Sequence, residues 1–240
     1  MSNPMEQFEV KELIPLKFNG YDISFTNSSL FMCLAVVSCV LLFALCLKKR
    51  AIVPGKGQAF AEMIYDFVHN LMRENIGAEG LKYFGFIFSL FLFIACGNVL
   101  GLFPYAFTFT SHIAAVGTLS LTALIFNMII GIKKKKWGYI RTFMPKGIPW
   151  ILAPLIMPIE TISLLSKPFS LTIRLVANMT VGHIMLKIIA GFIVGLGALG
   201  FVPLLFDAGI IVFELFIALL QAFIYTVLSC IYLGDAIHNH

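Results

Sequence analysis

Long apolar runs, separated by short polar punctuation, set the pattern of this chain. Residues 1–27 are polar and mixed, and are expected outside a bilayer. Residues 29–47 are almost wholly apolar or small and stop at Lys48, Lys49 and Arg50, about the 20 residues a bilayer core needs. Residues 57–79 differ. Phe60, Ile64, Phe67, Val68 and Leu71 recur at steps of three and four, with Glu62, Asp66, His69, Arg73 and Glu74 between them. That spacing predicts an amphipathic helix, too polar to span, lying in the interface or packed on a partner subunit. Two further spans are expected over residues 83–103, ending at Pro104, and 112–132, ending at Lys133–Lys136. The stretch to Trp150 contains Pro145 and Pro149 and reads as a turn region.

The last third is longer than upright spans allow. The helical stretches expected over 150–201 and 203–237 include an apolar run of roughly 33 residues, Phe169 to Phe201, and a second long run to about Asp235. At 1.5 Å per residue, each is about 50 Å long against a hydrocarbon core of about 30 Å. Such helices must tilt by roughly 50°, far above the usual mean near 20°. The prediction is an all-α polytopic membrane protein and a single membrane domain over 1–240. It has about three upright helices, one interfacial helix and a C-terminal hairpin of two steeply tilted helices. No internal repeat is evident.

Composition agrees with a bilayer solvent. Hydrophobic residues make up 60% of the chain and charged residues 12%, and mean hydropathy is +0.95. Soluble domains hold about 45–50% apolar and about 25% charged residues. The net charge of +5 is concentrated in two short basic clusters that follow apolar spans, where membrane anchors belong, so nucleic acid is not the expected partner. With one span before the first cluster and two more before the second, both clusters share a face. The positive-inside rule puts them inside, with the N-terminus outside and the C-terminus inside. The N-terminus carries no basic segment followed by an apolar one, so no cleaved leader is expected. Cys33, Cys39, Cys46, Cys96 and Cys230 sit in apolar runs without a CxxC pair and read as small core residues.

Ionisable residues inside apolar helices are costly and point to function. Here they cluster: Glu160, Arg174, His183, Lys187, Asp207, Glu214 and Asp235, with Asn178, Gln221 and Tyr225. At about 100° per residue, Asn178 shares a face with Arg174, and His183, nine residues on, points nearly opposite. Asp207, Glu214 and Gln221 step by seven and Tyr225 lies eleven beyond Glu214, which makes one polar stripe. Asn178 and Gln221 are also the types that glue helices together. Lys187 either reaches an aqueous cavity or is simply accommodated. An arginine stays charged, and no acid lies one turn from Arg174 in its own helix. A lone arginine cannot relay a proton, but it can hold a neighbouring carboxylate ionised. Histidine and a buried carboxylate suit proton relay.

The run Ser166-Lys167-Pro168-Phe169-Ser170-Leu171-Thr172-Ile173-Arg174-Leu175-Val176-Ala177-Asn178-Met179 closely resembles the signature of the subunit a family of F-type ATP synthases. The run Glu214 to Tyr225 resembles that family's last helix. With the Gly97-Asn98 to Pro104 region, the resemblance covers most of the chain after about residue 20. It implies a proton-conducting stator subunit working against a ring of c subunits, with peripheral-stalk b subunits, other synthase subunits and membrane lipid as partners. It implies a multi-pass protein of a bacterial inner membrane, or alternatively a mitochondrial one, with no nucleotide site, cofactor or metal of its own.

By position, Arg174 matches the family's rotor-facing arginine, and Asn178 and Gln221 match its polar neighbours. His183 and Glu214 match the pair of the inlet half-channel, in the order seen in mitochondria and alphaproteobacteria. Glu160 and Asp235 match acids of the outlet. Asp207 has no assigned role. Gly101 stands where some relatives place an acid, which bears on Asn98. The competing reading is an ion-coupled secondary transporter, which often carries internal repeats and broken helices. A bis-His haem subunit needs deep histidines in facing spans, and only His183 lies deep. No HExxH metalloprotease motif occurs.

Overall fold

The computed structural model describes residues 9–15, 17–18, 21–22, 24–48, 51–103, 106–135, 153–196 and 200–237. The expected turn region with Pro145 and Pro149, the span-ending Pro104, Lys49, Arg50 and Lys136 lie outside the described residues, as do 150–152 of the first long helix. The structure is all-α in its long elements. These are α1 (Asn27–Cys46), α2 (Lys56–Ile76), α3 (Phe84–Gly101), α4 (Ile113–Lys135), α5 (Ala153–Gly195) and α6 (Phe201–Ile237). All but α2 are long and apolar enough to cross a membrane, with α3's candidate span starting at Ala78. Short strands β1 (Glu12–Ile14), β2 (Lys17–Phe18), β3 (Tyr21–Asp22) and β4 (Phe25–Thr26) precede α1, with β1 antiparallel to β4 and β2 to β3. The Asn27 side chain ties this segment together, donating to the Glu9 carbonyl and accepting from the Lys11 amide.

Several helix ends differ from the sequence reading, each for a local reason. α2 stops at Ile76 because Gly77 takes φ 78°, which glycine adopts at no steric cost. A 3-10 segment, Ala78–Tyr83, then leads into α3. α4 continues through Lys135, since lysine is a good helix former. Pro203 falls inside the first turn of α6, where its missing N–H leaves no helical bond unmade. α5 holds Pro158 and Pro168 within its 43 residues. Hydroxyl groups back-bond beside them: Thr161 to the Met157 carbonyl, Ser166 to Ser163 and Thr172 to Pro168, at 2.8 Å each.

The described residues form two compact units. In the first (1–42, 92–116, 174–222), Ala35, Phe107 and Phe109 form a buried cluster flanked by Phe31, Met32, Phe93, Leu100 and Ala115. In the second (43–91, 117–173, 223–240), Val68, Met72 and Ile76 of α2 are buried with Ile87, Ile130, Cys230, Leu233 and Ile237. The apolar stripe expected on α2 is therefore divided. Val68 is covered by this chain's own α3, α4 and α6, while Phe60 and Phe67 stay exposed. Lys134 pairs with Glu79 here, both exposed, so the pair adds little stability. All five cysteines are free thiols; Cys230 is buried and Cys33 is exposed on α1.

Candidate functional site

The first unit carries most of the polar residues singled out in the sequence. On α5, Arg174 is exposed among the exposed apolar side chains of Ile173 and Val181, and Asn178 is half-buried. His183 lies on the opposite face and is 8% exposed. Among the described residues Arg174 makes no ion pair. Lys187 is half-buried one turn beyond His183. On α6, Asp207 is half-buried, while Glu214 and Gln221 are each 5% exposed.

A cavity of about 260 Å³ separates the two helices, lined by Leu175, Asn178, Met179, Gly182, Glu214 and Gln221 among others. Its walls are mostly apolar, so Glu214 and the two amides are its polar points. Among the described residues neither carboxyl oxygen of Glu214 has a hydrogen-bond partner, and the same is true of Asp207 Oδ1. A carboxyl group so placed is stabilised by water that enters the cavity or by taking up a proton and becoming neutral.

Gly182 is what lets Glu214 sit there. A Cβ at position 182 would lie 2.3 Å from Glu214 Oε1 and 2.6 Å from its Cδ. Glu214 thus packs against the residue next to His183 and does not hydrogen-bond His183 itself. The imidazole Nε2 lies instead 2.9 Å from Thr108 Oγ1. Asn98, fully buried on α3, donates to the Ala218 carbonyl of α6 at 3.0 Å. It acts as a clamp at the cavity wall, which Ala218 also lines.

The second unit holds the remaining polar residues. Glu160 and Asp235 are half-buried on α5 and α6. Tyr225 is buried with its hydroxyl toward Ser120, and Ser120 hydrogen-bonds Thr172 at 2.9 Å. The Lys167 ammonium stands 4.9 Å from the centre of the Tyr232 ring, a cation–π contact beside Asp235. Among the described residues no cluster of His, Cys, Asp or Glu could hold a metal ion.

Comparison with known sequences decides the family. The sequence model for the ATP synthase A chain matches residues 29–234. The chain belongs to the ATP synthase A chain family. It is 51% identical over 241 residues to ATP synthase subunit a of Rhodospirillum rubrum, with 100% of each chain covered. It is 49% identical to that of Paramagnetospirillum magneticum, again over 100% of both chains. To that of Mesorhizobium japonicum it is 44% identical, over 98% of this chain and 96% of the relative.

Within this ATP synthase A chain family member, sequence reasoning missed Gly182, Thr108, Lys167 and Tyr232. Gly182 carried a signal, since glycine inside a helix beside a buried ionisable residue marks close approach. Thr108 carried none, because no periodicity links a connecting segment to a helix 75 residues away.

The Gly182 contact makes a prediction. Gly182→Ala shifts the flexible carboxyl end of Glu214, and Gly182→Val evicts it from the cavity wall. A displacement of order 1 Å costs a positioned group up to about a hundredfold. Proton flux measured with a pH-sensitive dye in membrane vesicles is therefore expected to fall in the order glycine, alanine, valine. Undiminished flux in an assembled Gly182→Val complex contradicts the contact's importance.

Proposed function

We propose that this chain is the proton-conducting stator subunit of the membrane sector of an F-type ATP synthase. The observation that carries the reading is the division of α5. A permanent cation stands on its exposed face, and a buried histidine on the other, beside a helix with a cavity-lining carboxyl group. Family membership supports the same role.

In this reading protons come from outside through an inlet holding His183 and Glu214, with Asn178 and Gln221 as polar neighbours. They neutralise a carboxylate on a rotating ring of c subunits. The exposed Arg174 faces that ring, ionises the carboxylate again and blocks direct leakage. The proton leaves past Glu160 and Asp235 to the inside. One charge crossing 100 mV yields about 2.3 kcal/mol, so several protons accompany each ATP. The chain itself binds no nucleotide. Peripheral-stalk b subunits hold it in place in the bacterial inner membrane. Asn98 takes a structural share in this path through its bond to Ala218, and Tyr225 extends the polar stripe of Glu214 and Gln221. Lys187, one turn from His183, adds positive charge near the inlet. Asp207 continues the polar stripe toward the start of α6.

Solubilisation in mild detergent tests the reading. The chain is expected to purify with a large ATPase that carries a ring of small subunits. Purification alone supports the secondary-transporter alternative instead.

Orientation is tested by labelling single cysteines with a membrane-impermeant reagent, after the five native cysteines are replaced by alanine or serine. Cysteines at positions 10 and 108 are expected to react from outside and one at position 135 is not. Position 108 is buried, so its labelling is expected to be slow. Outside labelling at 135 reverses the orientation and exchanges inlet and outlet.

A further inference from the structure

The segment between α3 and α4 is built unlike a surface connection. Phe107, Thr108, Phe109 and Thr110 are all buried, whereas connecting segments normally run over the surface. α3 is shaped to receive them. A Cβ at Gly97 would lie 2.5 Å from Phe109 Cζ, and one at Gly101 would lie 2.7 Å from Thr108 Cγ2. Two glycines one turn apart thus open a groove into which the segment drops. Phe109 then packs on Phe93 and Phe107 on Phe31. At the segment's end His112 stacks on Phe107, and burial holds its imidazole below the ordinary histidine range.

The result is that Thr108, 3% exposed, presents its hydroxyl to two groups at once. Oγ1 lies 2.9 Å from His183 Nε2 and 3.3 Å from the Gly101 carbonyl oxygen. A hydroxyl has one proton to give, and a carbonyl can only accept. Both contacts are satisfied together in one way. Thr108 donates to Gly101 and accepts from a protonated Nε2.

We propose that Thr108 is a positioning residue for His183, fixing its proton on Nε2 and leaving Nδ1 as the nitrogen that gains and loses the proton. The inference rests on the inlet role proposed for His183. The seat in Gly97 and Gly101 is what aims the hydroxyl, so the α3–α4 connection belongs to the proton path. The same bond survives in the imidazolium, where Nε2–H still donates. Thr108 therefore holds the ring in one orientation through both charge states, as partners of relay histidines must.

The test uses the whole complex in membrane vesicles, with its assembled amount measured alongside proton flux. Thr108→Val keeps the shape and removes the hydroxyl, and flux per complex is expected to fall on the order of tenfold, the worth of a hydrogen bond to a charged group. Thr108→Ser loses the methyl group that faces Gly101 but keeps the hydroxyl, and is expected to recover most of the flux. Equal losses in valine and serine variants, or undiminished flux in the valine variant, overturn the proposal. His183→Leu in the same assay separates the two levels. If it stops flux while Thr108→Val does not, only the positioning role falls. If His183→Leu conducts normally, the inlet reading itself falls. Nitrogen NMR of labelled His183 in the unmodified complex is a second measurement, one that needs no variant to assemble. A neutral ring protonated at Nε2 is expected, and a bare Nε2 overturns the assignment.

Discussion

Replacing Arg174 by alanine is expected to abolish ATP synthesis driven by an imposed proton gradient, while ATP hydrolysis by the detached soluble sector continues at its usual rate. Arg174 is exposed on an apolar helix face and has no ion pair among the described residues. A charge in that setting is costly unless something compensates it. The proposed compensation is the ring carboxylate that passes in front of it. Two unit charges about 4 Å apart attract by about 4 kcal/mol at an effective dielectric near 20. Losing that attraction slows deprotonation of the ring by about three orders of magnitude. It also removes the barrier between the half-channels, so the membrane leaks. Arg174→Lys is expected to fail as well, because an ammonium in an apolar membrane setting can shed its proton where a guanidinium does not. Near-normal coupled synthesis in either variant, with the subunit assembled, would falsify this role.

His183→Leu and Glu214→Leu are each expected to cut proton flux on the order of a hundredfold, the usual worth of a positioned proton-transfer group, with much smaller effects on assembly. The structure sharpens the expectation for the double variant. Glu214 packs against Gly182, while His183 turns its Nε2 to Thr108, so the two groups are neighbours through the backbone of α5 without touching. In the proposed role they work on one path in series, and a path already cut loses little from a second cut. The double-mutant cycle is therefore non-additive, with the pair close to the worse single variant. Additive losses mean that the two groups act separately, and they remove the shared inlet.

Much of this was legible in the sequence because membrane helices advertise their exceptions. Glu214 and Gln221 stand out in an apolar run of α6, and the seven-residue step places them on one face without any structure. Arg174 and His183 are nine residues apart, which sends one outward and the other inward, and their exposures differ accordingly. What the sequence hid is tertiary. The Asn98 bond to Ala218 joins residues 120 apart, and its acceptor is a backbone carbonyl with no sequence signature. The stripe on α2 predicted an amphipathic helix but not that α3, α4 and α6 would cover Val68. The second long helix, expected from Pro203, starts two residues earlier at Phe201, because the first turn tolerates a proline's missing donor. Thr108 reads as an ordinary loop threonine until Gly97 and Gly101 are seen to make room for it.

In the proposed role, protons reach the motor only through this chain. Membrane vesicles from cells that lack the chain but make the rest of the synthase put that to the test. No ATP-driven acidification of the vesicle interior is expected in its absence, with full recovery when the intact chain is supplied and none when Arg174→Ala is supplied. ATP-driven acidification that persists without the chain, at the level of vesicles that contain it, contradicts the proposed role.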